Sequence, residues 1–166
     1  MCDVVSDVSK RGGHYGDEAM RVLVVDDSAI VGERIAAMLS EFTEIELLDQ
    51  VKDGLEAVER IRTLSPDVVI LDIGLPGRNG IEVLGDVKRE KLVPIVMILT
   101  NYPYPQYQQR CVDAGADFFL DKSIEFDRVL QIFKQLIHGS SMSMNSYEDF
   151  SPLKSKRIQK FGGQEG

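Results

Sequence analysis

The chain has 166 residues, 43% hydrophobic and 28% charged, enough for one globular domain with its own core plus some excess. A formal net charge of -8 and a pI near 4.8 argue against general affinity for nucleic acid or an anionic membrane surface. Two widely spaced cysteines, Cys2 and Cys111, and two histidines offer no zinc-type spacing; no run nears the roughly 18 apolar residues of a membrane span, and no signal peptide opens the chain, so a cytoplasmic protein is expected.

Residues 1–20 are polar and glycine-containing, without a sustained period, and read as a flexible extension. Met20 stands directly before the first ordered run. Residues 22–25 (VLVV) form a β-branched-rich strand that ends in Asp26, Asp27 and Ser28, the last a helix cap. The helix that follows carries Val31, Ile35, Met38, Leu39 and Phe42 on one apolar stripe. Residues 45–51 are a weaker second strand. Asp53-Gly54 opens a second helix with Leu55, Val58, Ile61 and Leu64 on one face. Ser65-Pro66 stops it, since the residue before proline is pushed out of the α region.

Residues 67–76 (DVVILDIGLP) are the centre of the chain. Val68 to Leu71 suit a strand buried on both faces, and Asp72 leaves it at the C-terminal end. Taken singly, such an acid caps a turn as readily as it does chemistry. Residues 76–80 read as a loop by their turn residues, and a helix runs over 81–90. Residues 94–99 (PIVMIL) are a fourth strand ending in Thr100. The proline-bearing segment 101–106 (NYPYPQ) leads into a helix with Cys111, Val112 and Ala114, closed by Gly115. Residues 118–120 are a short fifth strand followed by Asp121-Lys122. The last helix places Phe126, Val129, Leu130, Phe133, Leu136 and Ile137 on one stripe and stops near residue 138. Residues 139–166 return to serine, glycine and charge, with a basic cluster of Lys154, Lys156, Arg157 and Lys160, and read as a flexible, solvated tail.

Strands alternating with helices over 21–138 predict right-handed crossovers and one doubly wound parallel sheet of the α/β class. The C-terminal ends of its strands open on one side, so Asp26, Asp27, Asp72, Thr100 and Lys122 share an edge. Three neighbouring carboxylates need a compensating charge, and a hard divalent cation with oxygen ligands supplies it. Lysine and a hydroxyl suit phosphate, and a carboxylate can attack phosphorus. A dinucleotide site is disfavoured, because no Gly-rich fingerprint follows a strand.

The motifs VLVVDDS (22–28), VVILDIGLPGRNG (68–80), ILT (98–100), GADFFLDK (115–122) and the closing amphipathic helix resemble the receiver domains of two-component response regulators. The resemblance covers 21–138 and implies a flavodoxin-like (βα)5 fold with strand order 2-1-3-4-5. It implies that Asp72 is the phosphoacceptor. Asp26 and Asp27 become the acidic pair at Mg²⁺ (Mn²⁺ able to substitute), with Asp27 the direct ligand, Asp26 acting partly through water, and the Gly74 carbonyl a further ligand. Thr100 takes the place of the switch hydroxyl, Lys122 that of the lysine contacting the phosphoryl group, and Phe119 that of the rotating aromatic. Phosphate at Asp72 then draws in Thr100, lets Phe119 turn inward, and reshapes the face of the fourth helix, fifth strand and fifth helix.

Several positions depart from the family pattern. Asn101 stands where a small residue is usual. Ser123 replaces the usual proline after the lysine, which puts the usual cis bond there in doubt. Gly74 and Tyr102 occupy two positions that tune phosphate lifetime, and Tyr102 is expected to shield the phosphate and slow its hydrolysis. Pro103 and Pro105 stiffen the start of the fourth helix.

The resulting expectation is a single-domain regulator phosphorylated by a sensor histidine kinase or histidine phosphotransfer protein. It signals by contact with a downstream protein, without nucleic-acid or membrane binding, and a homodimer on activation stays open. It is not an enzyme beyond its own phosphorylation and dephosphorylation. Two alternatives remain: a receiver-like interaction module that works without phosphorylation, and the receiver part of a longer DNA-binding regulator. An Asp-nucleophile phosphohydrolase would carry its nucleophile in a DxD pattern after the first strand, with a cap insertion. The first strand here ends in adjacent acids, and no loop is long enough for a cap.

Overall fold

The computed structural model describes residues 19–93 and 95–138; the basic cluster and nearly all of the expected extension and tail lie outside the described residues. Strands β1 (Met20–Val25), β2 (Ile45–Val51), β3 (Val68–Leu71), β4 (Ile95–Thr100) and β5 (Phe118–Asp121) alternate with helices α1 (Ala29–Leu39), α2 (Gly54–Leu64), α3 (Gly80–Arg89), α4 (Pro105–Ala114) and α5 (Phe126–His138). All strands pair in parallel in the order β2-β1-β3-β4-β5, the expected doubly wound sheet. Strand order reverses at β1 and β3, so a crevice opens where their C-terminal ends diverge.

Local chemistry sets the helix ends. The Ser28 hydroxyl accepts from Val31 N, Asp53 accepts from Leu55 N, and Asn79 accepts from Ile81 N and Glu82 N. Pro105 starts α4, where its missing N–H costs nothing. Gly115 ends that helix at φ 102°, a conformation that suits a residue without Cβ.

Period-two alternation divides the core in two. Met20, Val22, Val24, Val68, Ile70, Met97, Leu99, Phe118 and Leu120 face α1 and α5. Leu23, Val25, Val69, Leu71, Val96, Ile98 and Phe119 face α2, α3 and α4. Strands covered on both faces read as unbroken apolar runs, which is why they were legible. Asp67 and Asp117 lock the opposite sheet edge. Arg21 N donates to Asp67 and Val96 N to Asp117, whose carboxylate also meets Lys88 Nζ at 2.8 Å.

Three expectations shift. Leu55, placed with the apolar face of α2, is 69% exposed, because it lies to one side of the buried stripe, although Gly54 in the same turn is buried. Ala57, Val58 and Ile61 make that face instead. Helix α1 ends at Leu39, so Phe42 packs half-buried from beyond its end. Strand β1 begins at Met20, one residue inside the expected extension, with Met20 N donating to Glu44 O at 2.7 Å. Among the described residues no helix is long and apolar enough to cross a membrane, and no peptide bond is cis.

Candidate functional site

The acidic and basic residues at the crevice have backbones tied to neighbouring strands. Asp26 N donates to Val51 O, Asp72 N to Val25 O and Lys122 N to Thr100 O, at 2.9, 2.9 and 2.8 Å. Each ladder thus continues past its strand's last apolar residue. Strand alternation then puts Asp26, Asp72 and Lys122 in register with the residues facing α1 and α5. Thr100 has the parity of Ile98 and Phe119, which face α4.

The side chains meet as this placement requires. Lys122 Nζ donates to Asp26 Oδ2 at 2.8 Å and to Asp72 Oδ2 at 3.2 Å, and all three residues are buried. Asp26, Asp27 and Asp72 each bring one carboxylate oxygen within 4.8 Å of the others. Asp27 is exposed, and the Asp26 Oδ1 accepts from Ser28 N at 2.9 Å. Asp72 Oδ1 accepts only the long 3.4 Å bond from Gly74 N among the described contacts, so its lone pairs are the less committed.

Burial pushes the Asp72 carboxyl above its ordinary pKa and the Asp26 charge adds to this, against the pull of Lys122. Burial would lower the Lys122 ammonium, but hydrogen bonds and attraction from Asp26 and Asp72 outweigh it and hold its pKa up. One ammonium is thus shared by two buried carboxylates, with a third beside them. An oxygen-only donor set of this charge fits a hard divalent cation such as Mg²⁺, and neither thiol nor imidazole stands in the cluster to favour a softer metal.

Thr100 is fully buried, and its Oγ1 accepts from Tyr102 N at 3.0 Å. Phe119 lies diagonally across from it on the same face and is only 5% exposed. The ring is thus part of the core packed under α2, α3 and α4. Tyr102 is half-exposed and lies against Gly74, where an added Cβ would stand 2.8 Å from the ring carbon Cε2. Asn101 is exposed. The Lys122–Ser123 bond is trans, and Ser123 N and Oγ both donate to Asp121 Oδ1, at 2.9 and 2.6 Å.

Sequence reading gave no role to Gln50, whose Nε2 donates to Asp26 O at 2.7 Å and Ser28 O at 2.9 Å. Gln50 stands beside Asp49 in a strand that also carries Glu46, so its polarity gave no signal. The available signal was Gly32, in mid-helix where glycine is costly.

The family of response regulator receiver domains matches this chain over residues 22–134. The DNA-binding transcriptional activator EvgA of Escherichia coli (strain K12) is 31% identical over 120 residues, which cover 72% of this chain and 58% of EvgA. The chain thus spans little more than half the length of that relative. The response regulator domain of Thermotoga maritima CheB superposes with a TM-score of 0.65 at 28% identity, over 76% of this chain and 99% of that one. A chain from the CheX-CheY-BeF3-Mg²⁺ complex of Borrelia burgdorferi gives a TM-score of 0.64 at 26% identity, over 80% and 98%.

Proposed function

Because the chain belongs to the response regulator receiver domain family, we propose that Asp72 takes a phosphoryl group from a phosphohistidine on a sensor histidine kinase or histidine phosphotransfer protein. The observation that carries this reading is three carboxylates within 4.8 Å, with the Lys122 ammonium bridging two of them. Asp26, Asp27, Asp72 and the Gly74 carbonyl would hold a Mg²⁺ or Mn²⁺, which would supply positive charge to the phosphoryl oxygens. An Asp72 carboxylate oxygen attacks phosphorus in line. The P–N bond breaks and its electron pair stays with the imidazole. Lys122, already on Asp72, transfers donors to the phosphoryl oxygens. The Thr100 hydroxyl accepts from Tyr102 N, so its own proton remains to be donated to phosphate.

Thr100 and Phe119 share a face, so a shift of Thr100 toward phosphate bears directly on Phe119. Since Phe119 is already buried, phosphorylation consolidates its inward packing and thereby reshapes the surface of α4, β5 and α5 for a downstream protein.

Incubation with acetyl phosphate and Mg²⁺ adds one phosphoryl mass to the parent, by attack of Asp72 with loss of acetate, and none to Asp72→Asn. Equal modification of both proteins, or of neither even with a panel of kinases, would overturn this reading; the latter outcome favours a module that works without phosphorylation.

The half-exposed Tyr102 ring beside Gly74 supports a shielded phosphate. Tyr102→Ala is expected to shorten the phosphoryl half-life several-fold, and Gly74→Ala to do so less, since a 2.8 Å contact moves only the end of a flexible ring. Half-lives of purified phosphoprotein measure this; an unchanged value in Tyr102→Ala would remove the shielding role.

A second reading, the receiver part of a longer DNA-binding regulator, is favoured by EvgA, of which the matched region covers only 58%. The phosphoryl chemistry is the same in both readings, and the output differs.

A further inference from the structure

We infer that Gln50 is a positioning residue for the cation site: from the end of β2 it clamps the loop that carries Asp26 and Asp27. This rests on the proposed cation site at Asp26, Asp27 and Asp72.

Three observations carry the inference. The first is the hydrogen-bond fork. One Nε2 group reaches two carbonyl oxygens, Asp26 O at 2.7 Å and Ser28 O at 2.9 Å. Both partners are acceptors, so the amide end facing them must be the NH₂. The peptide before Asp27 and the one after Ser28 are thereby held, while the Asp27 side chain itself is exposed. Asp26 is gripped at both ends by β2, because Asp26 N donates to Val51 O at 2.9 Å.

The second is a register shift between β1 and β2. Val22 pairs with Leu47 but Leu23 pairs with Asp49, so Leu48 is an extra residue. The shift reverses which face each following residue takes. Val51 goes to the face of α2 and α3, and Gln50, opposite Val24, goes to the face of α1. Without the extra residue Gln50 would point away from the loop it now holds.

The third is Gly32 in the interior of α1, where glycine is a poorer helix former than alanine. A Cβ there would lie 1.9 Å from Gln50 Oε1 and 2.4 Å from its Cδ. The helix gives up its own propensity at the one place where the Gln50 amide packs.

A double-mutant cycle on the full chain tests this, with binding of Mn²⁺ to the unphosphorylated protein read by electron paramagnetic resonance. Gln50→Leu removes the donors at similar size, and Gly32→Ala pushes the amide aside while improving the helix. Each is expected to weaken Mn²⁺ binding about tenfold, the fold-change of losing two such hydrogen bonds in part. The double variant is expected to match either single one, because both break the same clamp. Gly32→Ala also separates positioning from stability, since a merely structural glycine-to-alanine change in a helix would not lower affinity. Parent binding with both single variants within twofold of it, or with losses that add in the double variant, would overturn the clamp and leave the cation site standing. No saturable Mn²⁺ binding by the parent would overturn the cation site itself, and the clamp with it.

Discussion

Lys122→Met slows phosphoryl acceptance by Asp72 on the order of 10²–10³-fold, the usual loss when one preorganised donor to a charged transition state is removed. Methionine keeps most of the length and packing of the buried side chain and removes only the ammonium. In the parent that ammonium lies 2.8 Å from Asp26 and 3.2 Å from Asp72, so it offsets part of the carboxylate charge before any phosphate arrives.

Its loss also changes how stability depends on pH. The Lys122 pKa is held above its ordinary value, so its contribution is fully present below that ordinary value and is lost only as pH rises through the folded one. Asp72 has a raised pKa because burial and Asp26 disfavour its charge, so its ionisation opposes folding once pH passes the ordinary carboxylate value of 3.8. Removing Lys122 takes away the chief influence that lowers the Asp72 pKa. The stability deficit of Lys122→Met is therefore small in acid, where the carboxyls are protonated, and grows as pH rises toward neutrality. Urea unfolding across pH, beside acetyl phosphate labelling rates, measures both effects. A labelling rate within threefold of the parent would remove Lys122 from the chemistry, and a deficit flat with pH would remove it from the electrostatics.

Gly80→Ala destabilises the domain by about 2–3 kcal/mol, at the upper end of ordinary overpacking, and slows labelling of Asp72. A Cβ on Gly80 would stand 2.0 Å from the Asp72 carbonyl oxygen and 2.9 Å from Ile73 Cα. Both are backbone atoms, so no rotamer change relieves the contact. Gly80 N also donates to Ile73 O at 2.8 Å, which fixes the start of α3 against the segment carrying Asp72. Either the helix or Asp72 must move. The matched comparison is Gly85→Ala on the same helix, where a Cβ meets nothing within 4 Å. That change is expected to stabilise by about 0.5–1 kcal/mol through helix propensity and to leave labelling unaltered. Similar urea midpoints for the two variants would sink the argument from close approach.

The opposite fates of these two glycines show where a sequence stops being informative. Gly80 reads as the last turn residue before a helix and Gly85 as an ordinary helix residue; neither reading shows that only Gly80 lies against the backbone of Asp72 and Ile73. The same holds for Leu55, which fits the apolar spacing of α2 yet is 69% exposed because it lies to one side of the buried stripe of Gly54, Ala57, Val58 and Ile61. Periodicity reports an apolar face of a helix; it does not report on which residues the covering layer is centred.

By itself the sequence determined the order of elements, the strand cores and the cluster of Asp26, Asp27, Asp72, Thr100 and Lys122 at one sheet edge. The physical reason is that parallel strands buried on both faces must be continuously apolar, so the first polar residue after each run marks the C-terminal edge. Tertiary structure alone decided which of those residues touch, because contact depends on strand parity and register across the sheet. It set Asp26, Asp72 and Lys122 on one face and Thr100 with Phe119 on the other. It also placed Gln50 at the acidic loop through a single extra residue in β2, a displacement that no spacing within one strand encodes.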